Sequence, residues 1–83
     1  MHQDRKLVVI MFTDIIGYTS LMENDESEAL YILEIHRQII HTTLQQFNGN
    51  CTKEIGDGTL STFSSTIDAL ACATKILKLI SEY

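Results

Sequence analysis

Two aspartates, each close to a glycine, are the residues of this sequence best suited to chemistry. Asp14 follows the apolar run LVVIMF (residues 7–12) and one threonine, and Asp57 lies in the turn sequence Gly56-Asp57-Gly58. Carboxylate oxygens suit Mg²⁺ or Mn²⁺, which usually take one or two carboxylates together with waters and substrate phosphates. Both positions are therefore candidate ligands of divalent cations.

The segment that follows Asp14 suits an anion. The sequence Ile16-Gly17-Tyr18-Thr19 predicts a turn that opens a helix. Free backbone N–H groups and the positive end of the helix dipole favour negative charge at such a place, and Gly17 lets the backbone approach a ligand closely. Metal-binding carboxylates beside a phosphate-binding turn indicate phosphoryl transfer or nucleotidyl chemistry.

Taken singly, each of these residues also has an ordinary structural role. Asp14 would serve as a helix cap or turn residue, and Asp57 as a hairpin residue chosen for its backbone. Lys53 would be a solvated charge on an edge strand, and Tyr18 a core aromatic. The histidines lack ligand spacing, and the acidic group at residues 23–28 fits a solvated helix start. Only the combination of these residues indicates metal-assisted phosphate chemistry.

Six elements must position these residues. Residues 7–13 are predicted to form a strand that is apolar on both faces and therefore shielded from water on both. A short helix is predicted at 16–22, and Asn24 or Asp25 caps a long helix that runs to about Phe47, where Asn48-Gly49 ends it in the left-handed conformation. Strands at 51–55 and 59–63 flank the hairpin turn, and Ser65 caps a last helix that runs to Tyr83. The long helix is predicted to face the core with Leu30, Leu33, Ile40, Leu44 and Phe47. The last helix is predicted to face it with Ile67, Leu70, Leu77 and Ile80.

The order β-α-β-β-α predicts an α/β fold (an α+β sandwich). A ferredoxin-like split unit is β-α-β-β-α-β, so this chain is expected to be an incomplete version without the last strand. A right-handed crossover makes the first two strands parallel, and the third, which follows a hairpin, can lie between them and run antiparallel to both. Asp14 and Asp57 are then expected at the same edge of the sheet.

Composition narrows the classes of function. The chain of 83 residues carries 6 Lys and Arg against 11 Asp and Glu, a net charge of −5, which argues against binding to nucleic acid. The apolar run of six residues is too short for a membrane span or a signal peptide. Cys51 and Cys72 lack CxxC spacing, so we expect two buried free thiols in a reducing cytoplasm.

The segments FTDIIGYT (residues 12–19) and KEIGDGTLSTF (residues 53–63) together resemble the N-terminal half of a class III nucleotide cyclase catalytic domain, the adenylate and guanylate cyclase type. The resemblance runs in order and spacing from about Leu7 to the last helix. It implies that residues 1–6 are a lead-in and that residues 7–83 are the N-terminal portion of such a domain. The C-terminal part of a cyclase domain is expected to be absent.

The resemblance also implies roles for individual residues. Asp14 and Asp57 would hold two Mg²⁺ or Mn²⁺ ions per active site, and the backbone carbonyl of Ile15 would also bind metal. Gly17, Tyr18 and Thr19 would contact the phosphates. Lys53 would select the purine, and a lysine donor at the N1 acceptor of adenine favours ATP. The implied reaction is metal-assisted attack of the ribose 3′-OH on the α-phosphate of ATP, which gives cyclic AMP and pyrophosphate.

Cyclase sites of this family form between two subunits, so the implied partner is a second cyclase subunit in a homodimer. We expect no catalytic residue within these 83 residues and no activity from them alone, because no arginine is placed to stabilise the reacting phosphorus. One alternative is a non-catalytic interaction module with a cyclase-like fold, or a truncated product. Guanylate and diguanylate cyclases are less favoured, since Lys53 matches adenine and the sequence contains no GG[DE]EF motif.

Overall fold

The computed structural model describes residues 7–82, in which strands and helices follow the predicted order. Residues 1–6 and Tyr83, on which the predicted lead-in and helix end fall, lie outside the described residues. The elements are β1 (Val9–Thr13), α1 (Tyr18–Asn24), α2 (Glu26–Gln46), β2 (Asn50–Ile55), β3 (Gly58–Phe63) and α3 (Thr66–Ser81).

The three strands form a sheet in the order β1-β3-β2, and β3 runs antiparallel to both neighbours. Phe12 of β1 pairs with Leu60 of β3, and Leu60 pairs on its other side with Lys53 of β2. The predicted central position of the third strand is therefore confirmed. This topology brings the end of β1, where Asp14 follows, to the same edge of the sheet as the Gly56-Asp57 turn.

Local side-chain chemistry sets the helix boundaries. Of the two predicted caps for α2, Asp25 is the N-cap, and its carboxylate accepts a hydrogen bond from the amide of Glu28 at 3.1 Å. The hydroxyl of Ser65 caps α3 by accepting from the amide of Asp68 at 3.2 Å. Both caps satisfy amides that have no acceptor within their own helix.

The turn after α2 differs from the prediction in one respect. Asn48 alone takes the left-handed conformation, with φ 59. The reason for Gly49 is packing, because a Cβ there would lie 2.5 Å from Cε2 of Phe63 and 2.6 Å from Cδ2 of Leu44. Gly49 thus allows the chain to leave α2 directly over the core.

The hydrophobic core lies between one face of the sheet and the two long helices. Its buried members are Ile40, Leu44, Phe63, Ala69, Cys72 and Ile76. Val9 and Met11 of β1 are half-buried and pack against this cluster. Full burial of each large aliphatic or aromatic side chain contributes about 1.5–3 kcal/mol, so this cluster stabilises the packing of α2 and α3 on the sheet.

Of the four residues predicted on the inner face of α3, only Ile80 packs against the core. Ile67, Leu70 and Leu77 are 79%, 65% and 69% exposed. The face that packs inward carries Ala69 and Cys72, together with the buried Ile76. Apolar residues occupy most positions of α3, so two helical stripes fit the pattern equally well. The stripe with the smaller side chains packs inward, which lets the helix approach its neighbours closely.

Two further expectations about burial are corrected. Leu30 of α2 is 48% exposed, whereas Ile40 and Leu44 of the same predicted stripe are buried. In β1, for which the sequence predicts cover on both faces, Ile10 and Phe12 are 63% and 55% exposed. The physical reason is that α2 and α3 both contribute to a core on the other face of the sheet. Within residues 7–82, no helix has the length and apolar character needed to cross a membrane.

Candidate functional site

A single backbone amide links the two predicted metal-binding aspartates. The N–H of Ile15 donates to Oδ1 of Asp14 at 2.9 Å and to Oδ2 of Asp57 at 3.0 Å. The end of β1 supplies one carboxylate, and the two-residue turn between β2 and β3 supplies the other. The fold therefore brings together two carboxylates that are distant in sequence, at an exposed edge of the sheet.

The pKa values of the two carboxyl groups shift in opposite directions. A side-chain hydrogen bond with Asp57 raises the pKa of Asp14 above its ordinary value, and the bond from the Ile15 amide opposes this rise. The same bond with Asp14 lowers the pKa of Asp57, and the Ile15 amide lowers it further. The two carboxyl groups also have the oxygen donors that Mg²⁺ or Mn²⁺ prefers. The residues present therefore fit the divalent cations implied by the sequence.

The turn after Asp14 holds three further candidates, Gly17, Tyr18 and Thr19. Gly17 is the N-cap of α1 with φ 77 and ψ 14, a left-handed conformation that glycine adopts at little cost. It provides no side chain to cap the first-turn amides of α1, and the space around its Cα is open. The carbonyl of Ile15 accepts a long hydrogen bond from the amide of Tyr18 at 3.3 Å, which leaves a lone pair for another partner. Tyr18 is half-buried and Thr19 is exposed.

Lys53 is exposed on β2. It pairs with Leu60 of β3, which pairs on its other side with the exposed Phe12 of β1. Because paired residues point to the same face of a sheet, Lys53 lies on the face opposite the helices. It precedes Ile55, the last residue before the turn, by two positions, or about 7 Å along the strand. The structure thus places Lys53 on the same hairpin as Asp57, away from the core.

Side chains that the sequence did not single out connect this hairpin to α2. Nη2 of Arg37 donates to the carbonyl of Gly56 at 2.8 Å, and its Nε lies 3.5 Å from Oε2 of Glu54. Nε2 of His41 lies 2.6 Å from Oε1 of Glu54, and this hydrogen bond lowers the pKa of Glu54. Arg37 and His41 are one helical turn apart, and this spacing can be read from the sequence. Their acceptors on the hairpin cannot be read from the sequence.

A cavity of about 320 Å³ extends from the two aspartates towards α2 and α3. Thr13, Asp14, Asp57 and His36 contribute polar groups to its lining. His36 is half-buried, and burial lowers its pKa. The cavity gives the aspartate pair an apolar floor on the core side.

Comparison with known proteins shows what this chain resembles. Among curated proteins, it is 32% identical over 73 residues to a protein of Rhizobium meliloti (strain 1021) named "Putative adenylate cyclase 3". Among solved structures, it matches an adenylate cyclase from Trypanosoma brucei, studied in its monomeric state, with a TM-score of 0.80 and 20% identity over 83% of the chain. The chain is class III cyclase-like. No protein-family model matches it.

The predicted resemblance and the α/β fold class of this cyclase-like chain are thereby confirmed. The matched region covers 87% of the chain but only 12% of the Rhizobium protein, and the structural match covers 29% of the trypanosome chain. The roles assigned to single residues remain predictions. They concern the carboxylates of Asp14 and Asp57, the Ile15 carbonyl, the turn of Gly17, Tyr18 and Thr19, and Lys53.

Proposed function

We propose that this chain forms the metal- and phosphate-binding part of an adenylate cyclase site that converts ATP to cyclic AMP and pyrophosphate. In this proposal, residues 7–83 are the N-terminal portion of a class III cyclase catalytic domain. The observation that carries the proposal is the shared amide of Ile15, which orients the Asp14 and Asp57 carboxylates towards one another. The similarity to two cyclases supports the choice of reaction.

Asp14 and Asp57 would hold two Mg²⁺ or Mn²⁺ ions, with the Ile15 carbonyl as a further ligand. Bound divalent cations lower the pKa of the ribose 3′-OH and neutralise charge that develops at the α-phosphate. Gly17, Tyr18 and Thr19 would bind the triphosphate, where the open space at Gly17 allows close approach of the backbone. The Lys53 ammonium would donate to N1 of adenine, an acceptor that guanine lacks at that position.

The proposed partner is a second cyclase subunit, most simply a second copy of this chain. The sheet face opposite the helices supports this choice, because Ile10 and Phe12 are exposed on it. Phe12 and Lys53 pair with the same residue of β3, Leu60, so this apolar surface lies near Lys53. An interface on that face would place the partner next to the proposed base-selecting residue. The chain alone is expected to bind metal-nucleotide weakly and to convert none of it. The free thiols of Cys51 and Cys72 favour a cytoplasmic location.

The proposal is tested by binding of Mn²⁺ in the presence of ATP, measured from the loss of the free-ion signal in electron paramagnetic resonance. Asp57→Asn should weaken binding by at least about tenfold, the scale reached even by changes outside the first ligand shell. Asp25→Asn is the matched control, because it removes one carboxylate but keeps a good N-cap. Equal binding by wild type and Asp57→Asn would reject the metal assignment.

A non-catalytic interaction module is the second candidate, and the exposed Ile10 and Phe12 favour it. The two functions differ in one measurable property. A module that has lost its chemistry would bind a partner through the open sheet face without binding Mn²⁺ and ATP at Asp14 and Asp57. Self-association without Mn²⁺ binding would therefore favour this alternative.

A further inference from the structure

A second group of potential metal ligands lies at the junction of α2 and β2, away from the aspartate pair. His41, Cys51 and Glu54 each present one donor atom, and the three atoms lie within 4.8 Å of one another. Imidazole nitrogen, thiolate sulfur and carboxylate oxygen together are the ligand types of zinc. Mg²⁺ and Mn²⁺ prefer oxygen ligands, so this group would select a different metal from Asp14 and Asp57.

A β-bulge brings Cys51 and Glu54 to the same side of the sheet. Residues three apart on a regular strand point to opposite faces. In β2 the register shifts between Cys51 and Lys53, so that Thr52 is an extra residue. Cys51 then pairs with Ser61 and Glu54 with Thr59, two fully buried residues on the helix-covered face of β3. Bulges commonly re-aim a side chain in this way, and here both donors face His41 of α2.

We propose that His41, Cys51 and Glu54 form a zinc-binding site with a water molecule as the fourth ligand. Nε2 of His41 and Oε1 of Glu54 already lie 2.6 Å apart, and the metal would replace the proton that they share. Cys51 is a free cysteine that is only half-buried, in contrast to the buried Cys72. An open groove beside His41 and Glu54, lined also by Arg37, leaves room for the water.

The charges around the group are compatible with a divalent cation. A thiolate and a carboxylate neutralise the two positive charges of zinc. Arg37 lies near Oε2 of Glu54, at 3.5 Å, and leaves Oε1 for the metal. Outer partners of this kind orient a ligating carboxylate. Arg37 would thus hold Glu54 in a monodentate geometry.

The test titrates the purified 83-residue chain with Co²⁺ alone, a spectroscopic substitute for zinc. One equivalent should produce a thiolate-to-metal charge-transfer band in the near ultraviolet, and Zn²⁺ should displace the cobalt. Cys51→Ser should abolish the band, and His41→Gln and Glu54→Gln should each weaken binding by at least about tenfold. Arg37→Gln, one shell further out, should weaken it by up to about tenfold.

Two controls distinguish this site from the second thiol and from the aspartate pair. Cys72→Ala removes the other thiol, which is fully buried in α3, and should leave the band unchanged. Asp57→Asn should also leave it unchanged, which makes this result independent of the cyclase proposal. Absence of a band in the folded wild type, or a band that survives Cys51→Ser, would overturn the zinc site. Loss of the band in a folded Asp57→Asn variant would show that the thiolate-bound metal depends on Asp57, and would overturn a site made of His41, Cys51 and Glu54.

A measurement on the wild-type chain avoids any effect of substitutions on folding. Iodoacetamide should alkylate Cys51, whereas Cys72 should be protected, because it is fully buried and burial raises its pKa. Zn²⁺ should slow alkylation of Cys51 by at least about tenfold, as judged by peptide mass spectrometry, because the bound sulfur is no longer a free nucleophile. An unchanged alkylation rate with saturating Zn²⁺ would contradict the proposal.

Discussion

The carboxylate of Asp57 accepts a hydrogen bond from the amide of Ile15 at 3.0 Å across 42 positions of sequence. This bond connects the hairpin turn to the end of β1. The same amide donates to Asp14. A metal ion at the aspartate pair would therefore find its two carboxylates already oriented, and little side-chain ordering would be needed on binding.

The raised pKa of Asp14 predicts that metal binding depends on pH. Because the bond with Asp57 raises the pKa of Asp14, Asp14 holds a proton at pH values where an ordinary aspartate has lost it. A divalent cation must displace that proton. Mn²⁺ affinity should be greatest above the raised pKa and should fall as the pH decreases through it. Isothermal titration in buffers of different ionisation enthalpy would detect the released proton. No proton release at any pH would contradict the pairing.

The same two groups make opposite contributions to folding stability. The raised pKa of Asp14 stabilises the fold at low pH, and this contribution is lost as the pH rises through the folded-state pKa. The lowered pKa of Asp57 stabilises the fold above its ordinary value of 3.8, and this contribution is lost as the pH falls through the lowered pKa. Asp14→Asn removes the titration of Asp14, and its amide can donate to Asp57 as the protonated carboxyl of Asp14 does. The stability of wild type minus that of the variant should therefore be greater in acid than at neutral pH, as measured by urea unfolding at a series of pH values.

Arg37 is predicted to restrain the turn that carries Asp57. Its guanidinium donates to the Gly56 carbonyl and lies beside Glu54. These contacts are partly exposed, so Arg37→Gln should lower the free energy of unfolding by less than about 1 kcal/mol. Amide hydrogen exchange in the turn should nevertheless become faster, while exchange in α3 should not change. Gln38→Ala, at the neighbouring exposed position, is the control. Unaltered exchange at residues 56–58 would show that the contact does not restrain the turn.

Two glycines should respond differently to alanine because different constraints select them. Gly49→Ala would place a Cβ against the ring of the buried Phe63 and against Leu44. We expect a loss of about 1–3 kcal/mol from overpacking. Gly17→Ala meets no atom within 4 Å but must hold φ 77, which costs about 1–2 kcal/mol. Only Gly17→Ala should also weaken binding of Mn²⁺ and ATP. If Gly49→Ala also bound Mn²⁺ and ATP more weakly at a temperature where it is fully folded, the effect would not be particular to Gly17. That result would argue against a phosphate-binding role for the turn at Gly17.

Base selection by Lys53 gives a prediction for a complete cyclase that contains this segment. Lys53→Glu replaces a donor with an acceptor, which suits the N1–H and amino group of guanine. The ratio of kcat/KM for ATP to that for GTP should fall. Lys75→Glu on α3 makes the same charge change elsewhere and should leave the ratio unchanged. An unchanged ratio for Lys53→Glu would remove this residue from the base site.

The features that were predictable from sequence depend on local chemistry. Asp25 and Ser65 cap helices through amides three residues away. Gly56 takes a positive φ of 59 at the first position of a two-residue hairpin loop, the pattern of a type II′ turn. From these elements the strand order followed, and with it the meeting of Asp14 and Asp57. Each step needed only nearby residues and a general rule of topology.

The features that were missed depend on contacts between distant segments. Both stripes of α3 are apolar, and only the shape of the core decides that Cys72 faces inward while Leu70 faces outward. The bulge at Thr52 follows from the pairing of β2 with β3 and has no proline or glycine signal within the strand. The approach of Glu54 to His41 depends on that bulge. A side-chain cluster of this kind becomes visible only when the register is known.

The open face of the sheet predicts self-association. Ile10 and Phe12 are more than half exposed on β1, an edge strand of the sheet. If a second copy covers this face, Ile10→Thr should weaken the dimer, because it removes apolar contact area while keeping a residue that favours strands. Leu70→Gln is the matched control, since Leu70 is also exposed, at 65%, but lies on α3. Sedimentation velocity over a range of concentrations would compare the two variants with wild type. A dimer weakened by Leu70→Gln but not by Ile10→Thr would place the interface on α3 and separate the partner from Lys53.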